Sequence, residues 1–223
     1  MQMQQKKKIK GFTIIELLVV IAIIAVISGL AIPQFANWSK ERAVKNSAER
    51  IKDLAVSINS QVQRGLYGFA QFSIIPLADD EGYSFQTNGM LMSNLATNIS
   101  ETDDWYTMSK RCKNEDNFWN HLGASKDRPE VRSLKIDNVY LSIDETSGVC
   151  FSKDGSWFSS FGGLADGEKN IEGFYICGDM KKDCPTPDVE GEKIKFLYEL
   201  SWSRFGNITL EKWDDNRKTW VAQ

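Results

Sequence analysis

The sequence has very little histidine, and this limits the chemistry that its side chains can support. Its 223 residues include a single histidine, His121. Catalysis by a Ser-His-Asp or Cys-His arrangement needs a histidine with partners, and a lone histidine is more typical of a surface or packing position. The glycines form neither a phosphate-binding loop nor a dinucleotide-binding fingerprint. We therefore predict that the protein is not an enzyme, that it has no catalytic residues and that it uses no cofactor.

An excess of positive charge is also missing. The chain has 27 lysines and arginines against 30 aspartates and glutamates, which gives a formal net charge of −3 at pH 7. Proteins that bind nucleic acid usually carry a basic patch or stripe. The composition therefore argues against DNA as a partner.

Long apolar runs are rare as well, and the one that is present lies near the start of the chain. From Phe12 to Ala31 the only charged residue is Glu16. At ~1.5 Å per residue, this helix is long enough to cross the ~30 Å hydrocarbon core of a bilayer. An ionised carboxylate inside a membrane costs on the order of 2.5 kcal/mol or more unless it is paired, so Glu16 is a candidate functional residue. We predict a transmembrane and assembly helix over residues 12–32.

The residues around this run resemble a known signal. A basic leader ending in Gly11 is followed by Phe12-Thr13-Ile14-Ile15-Glu16 and the apolar helix, and the leader lysines are Lys6, Lys7, Lys8 and Lys10. This order resembles the class III signal peptides of type IV prepilins and pseudopilins. An ordinary signal anchor or secretory signal is the alternative, but a secretory signal would place its small-residue cleavage site after the apolar region rather than before it.

The resemblance implies a processing and assembly pathway. Residues 1–11 would form a leader peptide, and a prepilin peptidase would cut between Gly11 and Phe12 and methylate the new amino group of Phe12. The leader lysines would stay on the cytoplasmic side, so the head would face the periplasm before assembly into a pilus or pseudopilus at the cell surface. Glu16 would neutralise the N-terminal amine of an adjacent pilin subunit. Loss of the leader lysines leaves 23 basic against 30 acidic side chains.

The next segment, residues 33–65, has the pattern of an amphipathic helix that continues into the head. Pro33 removes one helix hydrogen bond and tends to kink or loosen the helix, and many pilins carry a proline at this position. Beyond it, apolar residues recur at spacings of four and three, which places them on one face of a helix; they are Val44, Ala48, Ile51, Ala55, Ile58 and Val62. Gly65 is a plausible C-cap.

The remaining chain, residues 66–223, is expected to form a globular head. In residues 66–132, turn signals separate short apolar pieces, which indicates a variable region of loops and short strands with a short helix near residues 116–122. In residues 133–223, alternating apolar residues and turn signals predict a mainly antiparallel sheet. The predicted fold is α+β, with the long N-terminal helix packed on this sheet, as in the type IV pilin fold.

Two stretches of the head resemble the GspH/FimT family of minor pilins and pseudopilins. They are the hairpin sequence at residues 149–155, Val-Cys-Phe-Ser-Lys-Asp-Gly, and the late strand at 203–210, Ser-Arg-Phe-Gly-Asn-Ile-Thr-Leu. Some members of that family have a basic Gly-Arg-x-Arg tail that contacts DNA. This chain has Gly206-Asn207-Ile208-Thr209 instead, so the resemblance does not extend to DNA binding.

The four cysteines are expected to form disulfides, because all of them lie on the side predicted to be exported. Four cysteines allow three connectivities, and we favour Cys177–Cys184 together with Cys112–Cys150. A zinc site is the competing interpretation, but the chain has no CxxC pair and only His121 to complete one. We therefore predict no metal site.

These observations together predict a minor type IV pilin, with a role in a priming or tip complex inferred by analogy to the family. The inferred partners are other pilin subunits, the prepilin peptidase/N-methyltransferase and the inner membrane. A type II secretion pseudopilin is one alternative, and a DNA-uptake or adhesive minor pilin is another. An enzyme anchored by a pilin-like helix has no candidate residues in the sequence.

Overall fold

The computed structural model describes residues 12–78, 81–101, 112, 132–156, 158–164, 172–178, 184, 187 and 196–223. It divides into two compact units, one ending at Lys40 and the other running from Glu41 to Gln223. The predicted leader, the predicted helix near residues 116–122 and His121 lie outside the described residues.

The chain begins with one long helix and continues mainly as strands. The helices are α1 (Ile14–Gln63) and α2 (Met92–Glu101), and a 3-10 turn lies at Gly162–Leu164. The strands are β1 (Tyr67–Pro76), β2 (Tyr83–Leu91), β3 (Ser133–Ile136), β4 (Tyr140–Leu141), β5 (Ser147–Ser152), β6 (Ser159–Phe161), β7 (Glu172–Cys177), β8 (Leu197–Trp202), β9 (Ile208–Asp214) and β10 (Thr219–Ala222). The architecture is α+β, as predicted from the sequence.

The strands form two sheets, where the sequence suggested one. The first sheet has the order β3-β2-β1-β5-β6 and the second has the order β10-β9-β8-β7-β4. Every described pairing is antiparallel. The hairpin predicted at residues 149–155 joins β5 and β6 in the first sheet.

The first sheet changes the interpretation of residues 66–132. The sequence suggested loops and short strands there, but β1 and β2 have 10 and 9 residues and lie in the middle of the sheet. The first eight residues of β1 are all buried, so both faces are covered and the strand lacks the alternation that marks a half-exposed strand. Because β1 pairs with β5, the boundary expected at residue 133 does not separate two parts of the fold.

The predicted stripe of α1 forms the centre of the head. Its six residues are at most 2% exposed; they are Val44, Ala48, Ile51, Ala55, Ile58 and Val62. In the largest core cluster, the helix meets Phe72 and Phe85 of the first sheet and Phe174 and Trp202 of the second. The stripe therefore organises both sheets around one core.

The end of α1 is the predicted glycine cap. Gly65 has a φ of +77°, which glycine adopts without the steric cost that other residues bear. The N–H of Gly65 donates to the carbonyl of Val62, and the N–H of Leu66 donates to the carbonyl of Gln61. These two bonds form a Schellman motif, which turns the chain directly from the helix into β1.

Each sheet also carries a small apolar cluster on the face opposite α1, and each cluster contains a disulfide. On the first sheet, Cys112–Cys150 lies beside Phe69 and Met90. On the second sheet, the cluster consists of Cys177–Cys184 and Leu197, with Tyr175, Trp213 and Trp220 packed against it. This is the connectivity favoured from the sequence.

Candidate functional site at the start of the helix

The first turn of α1 is capped by the residues of the candidate signal. Thr13 directly precedes the helix, and its Oγ1 accepts a hydrogen bond from the backbone N–H of Glu16 at 3.3 Å. The carbonyl of Thr13 accepts from the N–H of Leu17 at 3.2 Å. Thr-x-x-Glu before an apolar run is the sequence of a capping box. This local role of Thr13 could have been recognised from the sequence, and we did not predict it.

Glu16 carries the only charged side chain between Phe12 and Ala31. It lies in the first turn of α1, where the positive end of the helix dipole favours a negative charge. Within the described part of the chain, no basic side chain forms an ion pair with it.

The surface around Glu16 is apolar on every side of the helix. All side chains from residue 12 to 29 are exposed, and the large apolar ones range from 85% for Phe12 to 47% for Val20. Soluble monomers rarely expose contiguous apolar patches of more than a few hundred Å². A helix that is apolar all round is normally buried in a membrane or in a larger protein core, so this segment requires a covering partner.

The predicted residues near this surface are placed as follows. Phe12 and Glu16 lie at the start of α1, whereas Gly11 lies outside the described residues. The helix runs without interruption through Pro33, so the predicted segments 12–32 and 33–65 share one helix. No helix among the residues with described side chains meets the requirements of length and apolar character for a membrane span.

The start of the chain matches known proteins. The family pattern described as "Prokaryotic N-terminal methylation motif" covers residues 6–32. Two proteins from Pseudomonas aeruginosa, each named "Fimbrial protein", are 34% identical to this chain over 56 residues, which is 25% of this chain and 36% of the relative. The chain thus spans about a third of the length of the curated relatives that it matches. No solved structure gives a significant match.

The start of the chain is similar to that of a type IV pilin. The methylation motif covers the predicted leader lysines, Gly11, Phe12 and Glu16, and α1 followed by antiparallel sheets is consistent with the type IV pilin fold. The identification therefore depends mainly on the N-terminal segment. The resemblance of the head to GspH/FimT proteins depends on other residues, at 149–155 and 203–210.

The head brings together the two stretches whose sequences resemble GspH/FimT proteins. The Nε of Arg204 donates to the carbonyl of Gly155 at 3.0 Å, so the β8–β9 turn contacts the β5–β6 turn. The Nδ2 of Asn59 donates to the carbonyl of Gly206 at 2.8 Å and joins the same turn to α1. These contacts link the two sheets and the helix, and the sequence gave no signal for either of them because the residues are far apart in the chain.

The turn at Asp154 is fixed by hydrogen bonds to its carboxylate. Oδ1 accepts from the hydroxyl of Ser156 at 2.6 Å, from the N–H of Ser156 at 3.0 Å and from the hydroxyl of Ser152 at 2.7 Å. These bonds, those of Ser156 first, lower the pKa of Asp154 to about 2. The Asp of the hairpin sequence thus has a structural role in this pilin-like head.

The helix also makes a polar contact with the second sheet. Lys212 of β9 forms an ion pair with Glu41, the first residue of the head unit. Both side chains are about one-third exposed, so the contribution to stability is small. Nearby, burial raises the pKa of Tyr198 to about 12, with smaller effects from Glu41 and Glu49.

Among the described residues, no group of three or more His, Cys, Asp or Glu side chains is arranged to hold a metal ion.

Proposed function

We propose that this protein is a minor type IV pilin that is made as a prepilin and incorporated into a type IV pilus. The observation that carries this proposal is the first half of α1, where every described side chain from residue 12 to 29 is exposed and the only charge is Glu16. Such a surface suits a helix that passes from a membrane into a bundle of similar helices. The methylation motif at residues 6–32 supports the same pathway.

In this proposal, prepilin peptidase cuts between Gly11 and Phe12 and the new amino group of Phe12 is methylated. The subunit then resides in the inner membrane through residues 12–32, with its head in the periplasm. A buried carboxylate is tolerated when an opposite charge pairs with it. Glu16 therefore pairs with the amino group of Phe12 in a neighbouring subunit, which sets the register of the two helices.

The head favours a minor subunit. Two stretches of the head resemble the GspH/FimT family, and they contact each other through Arg204 and Gly155. Cys112, which lies between α2 and β3 in the sequence, is bonded to Cys150 of β5 by a disulfide. Variable loops on a rigid scaffold commonly carry binding specificity. A priming or tip role follows by analogy, and the function assigned is structural rather than catalytic.

A clean deletion of the gene tests this proposal. Surface pili and twitching are scored beside the secretion of exported enzymes in the same cells. We expect piliation to be lost and secretion to be intact. Lost secretion with normal pili would make the protein a type II secretion pseudopilin and contradict the pilus assignment.

A second experiment tests the assigned processing junction. Replacement of Gly11 by a bulkier residue such as leucine should leave uncut precursor in the membrane. The N-terminus of the accumulated protein is read by mass spectrometry. A mature N-terminus at Phe12 in the Gly11→Leu variant would disprove the junction.

A further inference from the structure

Two large aromatic side chains are exposed just after the apolar run. Phe35 is 66% and Trp38 is 51% exposed. They lie three residues apart on α1 and therefore on the same side of the helix. Their ring centroids are 5.7 Å apart and the rings are tilted by 48°. Neither residue belongs to the core clusters of the head.

The distance along the helix places this pair at a defined depth, if residues 12–32 enter the membrane as in the proposed function. At ~1.5 Å per residue, Phe35 lies ~35 Å and Trp38 ~39 Å from Phe12 along α1. The hydrocarbon core is ~30 Å thick, and the headgroup regions extend the bilayer to ~40–45 Å. A typical tilt of ~20° shortens both distances by only ~2 Å. With Phe12 at the cytoplasmic edge of the hydrocarbon core, the outer headgroup layer ends ~35–37 Å along the bilayer normal. A tilted helix therefore places Phe35 within this layer and Trp38 at its outer edge.

The chemistry of the pair fits that layer. Tryptophan has a large apolar body and one polar N–H, so it is enriched where lipid meets water. The pair also lies at the border between two kinds of sequence, because charged residues begin again at Lys40 and Glu41. The geometry points to a lipid anchor: we infer that Phe35 and Trp38 hold the unassembled subunit at a fixed depth in the outer headgroup layer of the inner membrane.

Labelling of single introduced cysteines tests this inference. All four native cysteines are in disulfides, so an introduced cysteine is the single reactive thiol. The full chain is produced without other pilins, and a membrane-impermeant maleimide is added from the periplasmic side. Ser39→Cys reports on the anchor, Asn46→Cys is the exposed reference and Ser28→Cys reports on insertion of the helix. We expect Ser39→Cys to react about tenfold or more slowly than Asn46→Cys, because the lipid headgroups and the two neighbouring rings restrict access of the maleimide and reduce the fraction of thiolate.

The aromatic residues are then changed in the Ser39→Cys chain. Phe35→Ala with Trp38→Ala should raise the labelling rate toward that of Asn46→Cys. Trp38→Tyr should keep the rate low, because tyrosine is also an interface residue. Trp38→Tyr therefore controls for any effect on the labelling rate that comes merely from replacing Trp38.

The outcomes separate the anchor from the proposed function. Fast labelling of Ser39→Cys beside a protected Ser28→Cys would overturn the anchor and leave membrane insertion intact. Protection of Ser39→Cys that survives the double alanine change would also overturn it, as would protection that appears only when other pilins are present. Fast labelling of Ser28→Cys would instead contradict insertion of residues 12–32, and with it the membrane stage of the proposed function.

Discussion

Two neighbouring side chains at the start of α1 allow the proposed charge pair to be separated from helix capping. Glu16→Gln removes the charge but keeps a residue that completes a capping box. Thr13→Ala removes the hydroxyl that accepts the N–H of Glu16 but keeps the charge. If the charge pair forms in the filament, the first variant should be far more damaging than the second.

The magnitudes follow from the two kinds of contact. Loss of one partner of a buried ion pair typically costs ~3–5 kcal/mol, which corresponds to a roughly 10²–10³-fold or greater loss of incorporation. Loss of an N-cap side chain costs ~1 kcal/mol, which corresponds to roughly fivefold. The exposed carboxylate of Glu16 has no ion-pair partner among the described residues, so its removal should not weaken the folded subunit itself.

The assay compares the amount of each variant in sheared filaments with its amount in the membrane fraction. Mass spectrometry of the membrane fraction confirms that each variant is still cut before Phe12. We expect normal processing of both variants and a much lower filament-to-membrane ratio for Glu16→Gln. If Glu16→Gln assembles as well as Thr13→Ala, the charge pair does not drive assembly. If Thr13→Ala is as defective as Glu16→Gln, the capping of α1 is the important interaction instead.

Three further predictions concern the stability of the head, and each is checked by denaturant unfolding of the full chain in detergent. Cys150→Ser opens a loop whose ends are 38 residues apart and should lower the free energy of unfolding by ~4 kcal/mol. Cys184→Ser opens a loop whose ends are 7 residues apart and should lower it by ~2 kcal/mol. Equal losses would contradict the loop-length argument. The pKa of Asp154 in the folded protein is lowered to about 2 from 3.8. Its contribution to the free energy of unfolding is therefore complete above pH ~4 and is lost as the pH falls toward 2. Asp154→Asn should flatten the dependence of the free energy of unfolding on pH between these two values. Asn59→Ala should cost ~1 kcal/mol through the bond to Gly206; a fully stable variant would show that the turn does not depend on the helix.

The sequence predicted the parts of the fold that repeat along one surface. The α1 stripe was visible because only one side of the helix is buried in the head, and all six predicted residues are in the core. Alternating apolar residues also predicted strands in the region of β8 and β9, although five of the six residues of β8 are buried. In β8, however, the strand begins at Leu197, because Phe196 has a φ of +60° and leaves the extended conformation despite its place in the alternating pattern.

The parts that were missed depend on contacts between distant segments. β1 has no alternation because α1 covers one of its faces and the Cys112 cluster covers the other, where Phe69 is fully buried. The contact between Arg204 and Gly155 joins two turns that are 49 residues apart, and no local pattern records such an approach. Turn chemistry could identify both hairpins, but not their contact.

The contrast between the two halves of α1 explains why the sequence alone indicated the candidate site at the start of the helix. In the head, α1 shows a spacing of four and three because this chain itself covers one side of the helix. From residue 12 to 29 that spacing disappears, and no face is buried by the described residues. In the proposed function, lipid or neighbouring helices cover this uniformly apolar surface, and a neighbouring subunit supplies a positive charge to Glu16. In the membrane, lipid would cover the apolar side chains but leave the carboxylate of Glu16 without a cation. In a filament, neighbouring helices would cover them, and the amino group of Phe12 in an adjacent subunit would pair with Glu16. On this proposal, Glu16 is the residue whose energy changes most when a subunit passes from the membrane into the filament.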